Sequence, residues 1–179
     1  MLQKEIDTQR LSLRQLTEAD APDIMAIRAN EQVNQYLERP KTCTPDDARN
    51  FISKIASIVA GGDGYYWAIT LKQTNELIGT ICYWNLEPAQ AKAEIGYELH
   101  PDYQGRGYMT EAIDAVISFG FNSLNFELIT ACPLNGNSNS VKLLERSGFL
   151  FSGDFTDQDT GSRYLDYRLS KSRWLSAKP

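Results

Sequence analysis

Histidine is almost missing from this sequence: His100 is the single one. A multi-histidine zinc site therefore cannot be built, and no metal is expected. A Ser-His-Asp triad would have to rest on His100, at a strand end against Pro101, a poor place for a base. Cysteine is scarce too. Cys43, Cys82 and Cys132 are odd in number and widely spaced, which argues against a disulfide framework or a C-x-x-C metal site. Long apolar runs are absent, and nothing approaches the ~20 residues needed for a membrane span. The first thirty residues carry Lys4, Glu5, Asp7, Arg10, Arg14, Glu18 and Asp20, so no signal peptide is expected. The expected location is the cytoplasm, with no membrane partner. Positive charge is in deficit, 18 Lys and Arg against 23 Asp and Glu. The basic residues are scattered, so no nucleic-acid surface is expected. Internal repeats and low-complexity segments are also lacking.

What is present describes an ordinary globular chain. Its 179 residues suit one domain spanning 1–179. That length buries most of its apolar surface without covalent staples. The net charge of −5 could draw a cationic substrate such as an amine, and equally serves solubility.

One stretch organises the rest, residues 93–110, AEIGYELHPDYQGRGYMT. Ala93, Ile95, Tyr97 and Leu99 share one parity, and Glu94, Gly96, Glu98 and His100 the other. That is the period of a strand. Pro101 and Asp102 stop it. After Gln104-Gly105-Arg106-Gly107, apolar residues recur at Met109, Ala112, Ile113, Val116, Ile117 and Gly120, the spacing of a helix over about 107–121. A strand, a glycine loop and a helix N-terminus can hold a phosphate. The first helical N–H groups lack partners, and the helix dipole adds roughly half a positive charge there. Glycines let the backbone approach an anion closely. A tight turn that happens to use two glycines fits the same residues.

Along the chain, 9–16 reads as a first strand and about 18–30 as a helix entered through Thr17 and Asp20. Val33, Tyr36 and Leu37 suggest a short helical turn before Pro40. Thr44-Pro45-Asp46-Asp47 starts a second helix that ends at Gly61–Gly64. Residues 65–72 and 77–84 read as a hairpin, and 85–92 as a loop. Beyond the central helix lie a strand over 127–132, a helix ending at Gly148, and a last hairpin over 149–155 and 163–169. The fold class is α/β, with a mixed, mostly antiparallel twisted sheet of about six to seven strands and flanking helices.

Two motifs on these elements carry a resemblance. Gln104-x-x-Gly107-x resembles the Q/R-x-x-G-x-G/A loop of the GNAT superfamily of N-acetyltransferases, with Met109 where that family places a small residue. Asn137-x-x-Ser140, followed by Leu144-Glu145-Arg146-Ser147-Gly148-Phe149, resembles its N-x-x-S-x-x-L-L-E-K-x-G-F segment. The opening RLSLRQLTEADAPDI looks like the branch containing the ribosomal-protein (RimJ/RimL-type) N-terminal acetyltransferases. The resemblance spans nearly the whole chain. It implies acetyl-CoA as co-substrate and a primary amine as acceptor, either a protein N-terminus or a small molecule, and it leaves room for a homodimer. It implies that the pyrophosphate sits on Gln104, Gly105, Arg106, Gly107, Tyr108, Met109 and Thr110. The pantetheine arm would lie between the strands near Tyr97 to Leu99 and Thr130 to Cys132, pairing with backbone like an added strand. Asn137 and Ser140 would border the arm and the thioester. Lys142 and Arg146 either reach the adenosine phosphates or form an exposed helix face.

The chemistry needs a neutral amine, a polarised thioester and stabilisation of a leaving thiolate. Glu94 and Glu98 share a strand face and are candidates for the base, Glu94 first; two carboxylates on a wet face are the alternative. A backbone N–H near Glu98 or Leu99 would stabilise the oxyanion if the strand bulges there. The family's usual acid, a tyrosine, falls at Leu144, so that group is missing, and Ser140 is the candidate replacement. Tyr164 and Tyr167 line the cleft or fill the core. Cys132 is either near the cofactor thiol, where oxidation would form a mixed disulfide, or a small core residue. No cysteine has a histidine partner, so direct attack in a ternary complex is expected over a covalent acetyl-enzyme. A non-catalytic acyl-CoA-binding module is the rival from another class.

Overall fold

The computed structural model describes residues 4–40 and 44–177. Cys43 lies outside them. The elements run β1 (Ile6–Asp7), β2 (Leu11–Arg14), α1 (Ala21–Ala29), α2 (Glu31–Asn34), α3 (Pro45–Gly61), β3 (Tyr65–Leu71), β4 (Leu77–Glu87), β5 (Lys92–Leu99), α4 (Tyr108–Asn122), β6 (Leu128–Ala131), α5 (Ser138–Arg146), β7 (Leu150–Thr156), β8 (Arg163–Ser170) and α6 (Lys171–Ser176). The strands form one sheet in the order β1-β2-β3-β4-β5-β6-β8-β7. Every neighbouring pair is antiparallel except β5 and β6.

The mixed, mostly antiparallel sheet is the one expected, with three additions. The two-residue β1 pairs with β2 and makes eight strands in the described chain. The segment expected as a loop after Trp84 keeps pairing, because β4 runs on to Glu87 through a register shift opposite β5. Helix α6 follows β8 directly, its Arg173 N–H donating to the Ser170 hydroxyl at 3.3 Å.

The helix starts follow from side-chain capping. Asp47 N–H donates to Thr44 Oγ1 at 3.1 Å, Thr44 N–H returns a bond to Asp47 Oδ2 at 2.9 Å, and Pro45 opens α3. Ahead of α1, Thr17 N–H donates to Asp20 Oδ2 at 2.7 Å, and Arg14 clamps the same carboxylate at 2.7 and 2.9 Å. Burial would raise the Asp20 pKa, but the bonds from Arg14 and Thr17 outweigh it and hold the group below the usual aspartate value.

The sheet separates two cores. On one face α4 lays Met109, Ile113, Val116, Ile117 and Phe121 against Leu11, Leu13, Trp67, Ile69 and Ile95. At about 1.5–3 kcal/mol per large side chain, α4 contributes on the order of 10 kcal/mol before chain entropy is set against it. On the other face Ile24 and Ile27 of α1 and Ala48 and Ile52 of α3 pack with Ala68 and Leu77. Gly120 of α4 has no room for a side chain, because a Cβ there would meet Tyr83 Oη at 2.5 Å. No helix of the described residues is long and apolar enough to cross a membrane.

Candidate active site

The two parallel strands at the centre part company. β5 and β6 pair only at Lys92↔Leu128, Ala93↔Ile129 and Glu94↔Thr130, while β5 continues to Leu99. On its other edge β5 stays paired with β4 as far as Gly79↔Leu99. His100 N–H donates to Ile78 O at 2.8 Å, so even-numbered residues of β5 direct their backbone groups at β4. Odd-numbered residues direct theirs the other way, as Leu128 N–H donating to Ala91 O confirms. Beyond the last pair at Glu94↔Thr130, the backbones of Tyr97 and Leu99 therefore face a gap. The β4–β5 register runs unbroken from Trp84 to Gly79, so the bulge considered near Glu98 is not there; the register shifts fall between Trp84 and Glu87 and at Ile69/Thr70.

The glycine loop lies at the mouth of this gap. Gly105 and Gly107 have φ of 72° and 78°, the left-handed region glycine favours. Gly107 caps α4 without a side chain, and the first intrahelical bond is Glu111 N–H to Gly107 O at 3.1 Å. The N–H groups of Tyr108, Met109 and Thr110 precede that bond and point out of the helix end. Gln104 Nε2 donates to Leu99 O at 3.1 Å, which ties the loop to the end of β5. Arg10 braces the loop from outside. Its Nη1 donates to Arg106 O at 3.0 Å, its Nε pairs with Glu111 Oε2 at 2.6 Å, and its guanidinium sits 4.5 Å from the Tyr108 ring centre.

A cleft of about 540 Å³ runs along these features. It gathers most of the residues expected from sequence: Glu98, Leu99, Gln104, Gly105, Gly107, Tyr108, Met109, Thr110, Asn137 and Ser140 all line it. Lys142 and Arg146 are exposed and line its rim, so the two readings of that helix face are compatible. Gln32, Val33, Gln35, Tyr36 and Leu37, in and around the segment expected as a short helical turn, supply one wall. Met109 points into the main core, where its size does not crowd the loop.

Other candidates lie elsewhere. Arg106 is not among the lining residues; its guanidinium sits 5.7 Å from the Tyr103 ring centre. Glu94 lies where β5 and β6 last pair, in a separate cavity of about 360 Å³ with Asn85, Glu87, Lys92 and Thr130. Burial raises its pKa above the ordinary glutamate value, against the lowering effect of hydrogen bonds from Asn85 and Cys132. Glu98 shares that strand face but not that setting. Its carboxylate is buried, with Arg39 Nη2 at 2.5 Å, Arg28 Nη1 at 3.7 Å and the Thr80 hydroxyl at 3.1 Å.

Asn137 caps α5, its Oδ1 accepting from Ser140 N–H at 3.1 Å. Ser140 Oγ reaches across the gap to the Tyr97 hydroxyl at 2.7 Å. Leu144, at the position of the family's usual acid, is completely buried in the core. Tyr167 is a core residue whose hydroxyl donates to Glu145 at 3.1 Å, and Tyr164 donates to Glu38 at 2.6 Å; neither lines the cleft. Burial first, and then the Glu94 and Asp166 carboxylates, push the Cys132 thiol up to about 12, which leaves it protonated and a poor nucleophile. No group of three or more His, Cys, Asp or Glu able to hold a metal occurs among the described residues.

The sheet opens between two parallel strands, with a glycine loop and a helix N-terminus at the opening. The chain belongs to the GNAT acetyltransferases: residues 10–150 match that family's acetyltransferase (GNAT) domain. The uncharacterised N-acetyltransferase YoaA of Bacillus subtilis (strain 168) is 35% identical over 148 residues, covering 83% of this chain and 84% of that one. The ribosomal-protein-serine acetyltransferase of Escherichia coli (strain K12) is 35% identical over 92 residues, half of each chain. Among solved structures, RimL, a ribosomal alpha-N-protein acetyltransferase in complex with coenzyme A, superposes with a TM-score of 0.84 at 19% identity, covering 93% of this chain and 98% of that one. The spermidine N-acetyltransferase of Vibrio cholerae, in complex with CoA and spermine, gives 0.81 at 20% identity over 94% and 99%. Those two likenesses concern the fold. The membership expected from Gln104–Thr110 and Asn137–Phe149 holds, and the protein is an N-acetyltransferase of the acyltransferase class.

Proposed function

We propose that this enzyme moves an acetyl group from acetyl-CoA to the α-amine of a protein N-terminus by direct attack in a ternary complex. One observation carries the donor side: the open edge of β5 from Tyr97 to Leu99, with the glycine loop at one end and Ser140 across from it. The residues fit the carrier. Gly105, Gly107 and the N–H groups of Tyr108, Met109 and Thr110 would take the pyrophosphate, with Gln104 holding the loop in register and Arg106 adding charge nearby. Tyr97 and Leu99 offer backbone groups to an extended amide arm, and Glu98, Asn137 and Ser140 border it. Lys142 and Arg146 would meet the adenosine phosphates. When bound, acetyl-CoA supplies an activated acyl group on a thioester.

The chain's own groups then divide the work. Glu98 N–H is committed to β4 and Leu99 lies at the glycine-loop end of the strand, so the N–H that would donate to the carbonyl oxygen as it gains charge is that of Tyr97, which faces the gap on the Ser140 side. Glu94, half-buried and with its pKa raised, would take the proton of the incoming ammonium through water. An α-amine titrates near 8 and a lysine near 10.4, so an N-terminus asks less of that base. The half-chain likeness to a ribosomal-protein-serine acetyltransferase supports this acceptor, and a small-molecule amine is the alternative. The same reading places the enzyme in the cytoplasm as one domain over residues 1–179, with room for a homodimer and no nucleic-acid partner.

The test is calorimetric titration with acetyl-CoA, followed by mass spectrometry of a panel of peptides and small amines. Tight binding with acetylated peptide N-termini is expected. Acetylation of small amines alone would overturn the acceptor, and absence of binding would overturn the cradle.

A further inference from the structure

Tyr97 has no part in the roles above beyond its backbone, yet its hydroxyl meets Ser140 across the gap at 2.7 Å. The contact joins two otherwise separate elements, the open edge of β5 and the first turn of α5. Both residues line the cleft. Position 144, where a phenol would otherwise face the leaving group, holds a fully buried leucine. A lone serine hydroxyl is a weak donor. A serine that accepts from a phenol is polarised, and its own proton is left free to point elsewhere.

We propose that Tyr97 is a positioning residue for the departing sulfur: it donates to Ser140 Oγ and so aims the Ser140 proton at the thiolate. The inference rests on the proposed use of acetyl-CoA. In the step concerned, the amine nitrogen bonds to the acetyl carbon, the C–S bond breaks, and its electron pair stays on sulfur. The Ser140 hydrogen bond stabilises that charge without transferring its proton. The attacking nitrogen sheds one of its remaining protons to water as the amide forms, and the thiolate then takes a proton from solvent. Burial pushes the Tyr97 phenol up to about 12, against the opposing effect of its bond to Ser140, so it remains a donor through the working range. A Tyr97→Ser140→sulfur chain also explains why an α5 serine is held by two bonds, one from Tyr97 and one through the Asn137 cap.

The test reads binding as well as turnover. Free CoA and desulfo-CoA are titrated calorimetrically into wild type, Tyr97→Phe, Ser140→Ala and the double variant, from about pH 7 to about pH 10, a range that spans thiol ionisation near 8.5. Glu98, Lys142 and Arg146, the charged side chains lining the cleft, and the Tyr36, Tyr103 and Tyr108 phenols meet both ligands alike, so their contribution cancels in the comparison. Wild type should gain about tenfold in affinity for CoA over desulfo-CoA as the thiol ionises. Tyr97→Phe and Ser140→Ala should each lose most of that gain, and the double variant should lose no more than either. The kcat of Tyr97→Phe should fall about tenfold with little change in KM for acetyl-CoA, and the fall should shrink with acetyl-selenoCoA, whose selenolate leaves without help.

A Tyr97→Phe protein that keeps the gain, or losses that add independently, would overturn the chain through Ser140. So would a wild type that shows no gain. Should Tyr97→Phe fail to fold by circular dichroism, Ser140→Ala alone decides, since a full gain without that hydroxyl refutes the proposal. Failure of wild type to bind either ligand would instead refute the use of CoA itself.

Discussion

Gly107→Val is the sharpest test of the cradle. Gly107 has φ 78° and ψ 5°, and it is the cap from which α4 starts. A Cβ there would come no closer than 3.4 Å to Arg10 Nη2, so a clash is not what forbids a side chain. The backbone is: a left-handed conformation costs an L-residue about 1–2 kcal/mol, at the upper end for a β-branched one. In a chain of this size that lowers the melting temperature by roughly 2–8 °C. If the backbone instead rotates away, an N–H leaves the cradle, and a charge-assisted bond is worth about 1.5–3 kcal/mol. Acetyl-CoA affinity should then fall roughly tenfold to over a hundredfold by calorimetry. Gly161→Val is the control. Gly161 has φ 72°, nothing within 4 Å of its Cβ position, and no part in the cleft. It should melt earlier by a similar amount and bind acetyl-CoA as wild type does. Folded Gly107→Val with wild-type affinity would refute the phosphate assignment, and equal loss in the control would show that strain alone is at work.

Glu94→Gln should lower turnover more than acetyl-CoA affinity. Because burial raises the Glu94 pKa, the ionised form is the costly one at neutral pH, so this variant should melt no earlier than wild type while the acidic limb of its kcat–pH profile disappears; an unchanged profile would remove Glu94 as base. Arg10→Ala should weaken acetyl-CoA binding several-fold by loosening the loop carbonyl and Glu111, and calorimetry showing no change would make the brace irrelevant. Gly120→Ala should destabilise the fold by about 1–3 kcal/mol in urea melts despite alanine's better helix propensity, since Tyr83 is pinned by a 2.9 Å bond to Val116 O and cannot step aside. Asp20 is depressed in the fold, so its stabilisation is whole above the unfolded value near 3.9 and fades as pH drops through the folded one; Asp20→Asn should melt earlier at neutral pH, with the gap to wild type closing in acid.

How much of this was legible beforehand depended on how local the cause was. The helix expected over 107–121 is α4, Tyr108–Asn122, because its spacing and its glycine cap both lie within one short stretch. The parity that put Glu94 and Glu98 on one face is also right. It says nothing of their surroundings, which are set by Asn85 and Thr130 for one and by Arg28, Arg39 and Thr80 for the other. Those partners are distant in sequence. Tyr97 was sorted with the apolar residues of its strand, and that parity is correct. Its hydroxyl matters only because β6 diverges and α5 fills the space, a tertiary event that no pattern in β5 announces. The continuation of β4 to Glu87 escaped for a similar reason, since a register shift breaks the alternation that would have revealed it. The spacing of Val33, Tyr36 and Leu37 suggests a helical turn, found as α2 at Glu31–Asn34, but a segment that short does not say which cleft it lines.

That wall is fastened at its end, by Arg39 to Glu98 and by Glu38 to Tyr164 and Ser162. The cradle is built from β5, the glycine loop and α4, and shares no residue with it. In the proposed function the wall would be the part that meets the amine, so acceptor and donor would be read by different parts of the chain. The two clasps tie the wall to the rest of the sheet, and through Arg39 a change in the wall reaches the Glu98 carboxylate on the strand that lines the cleft.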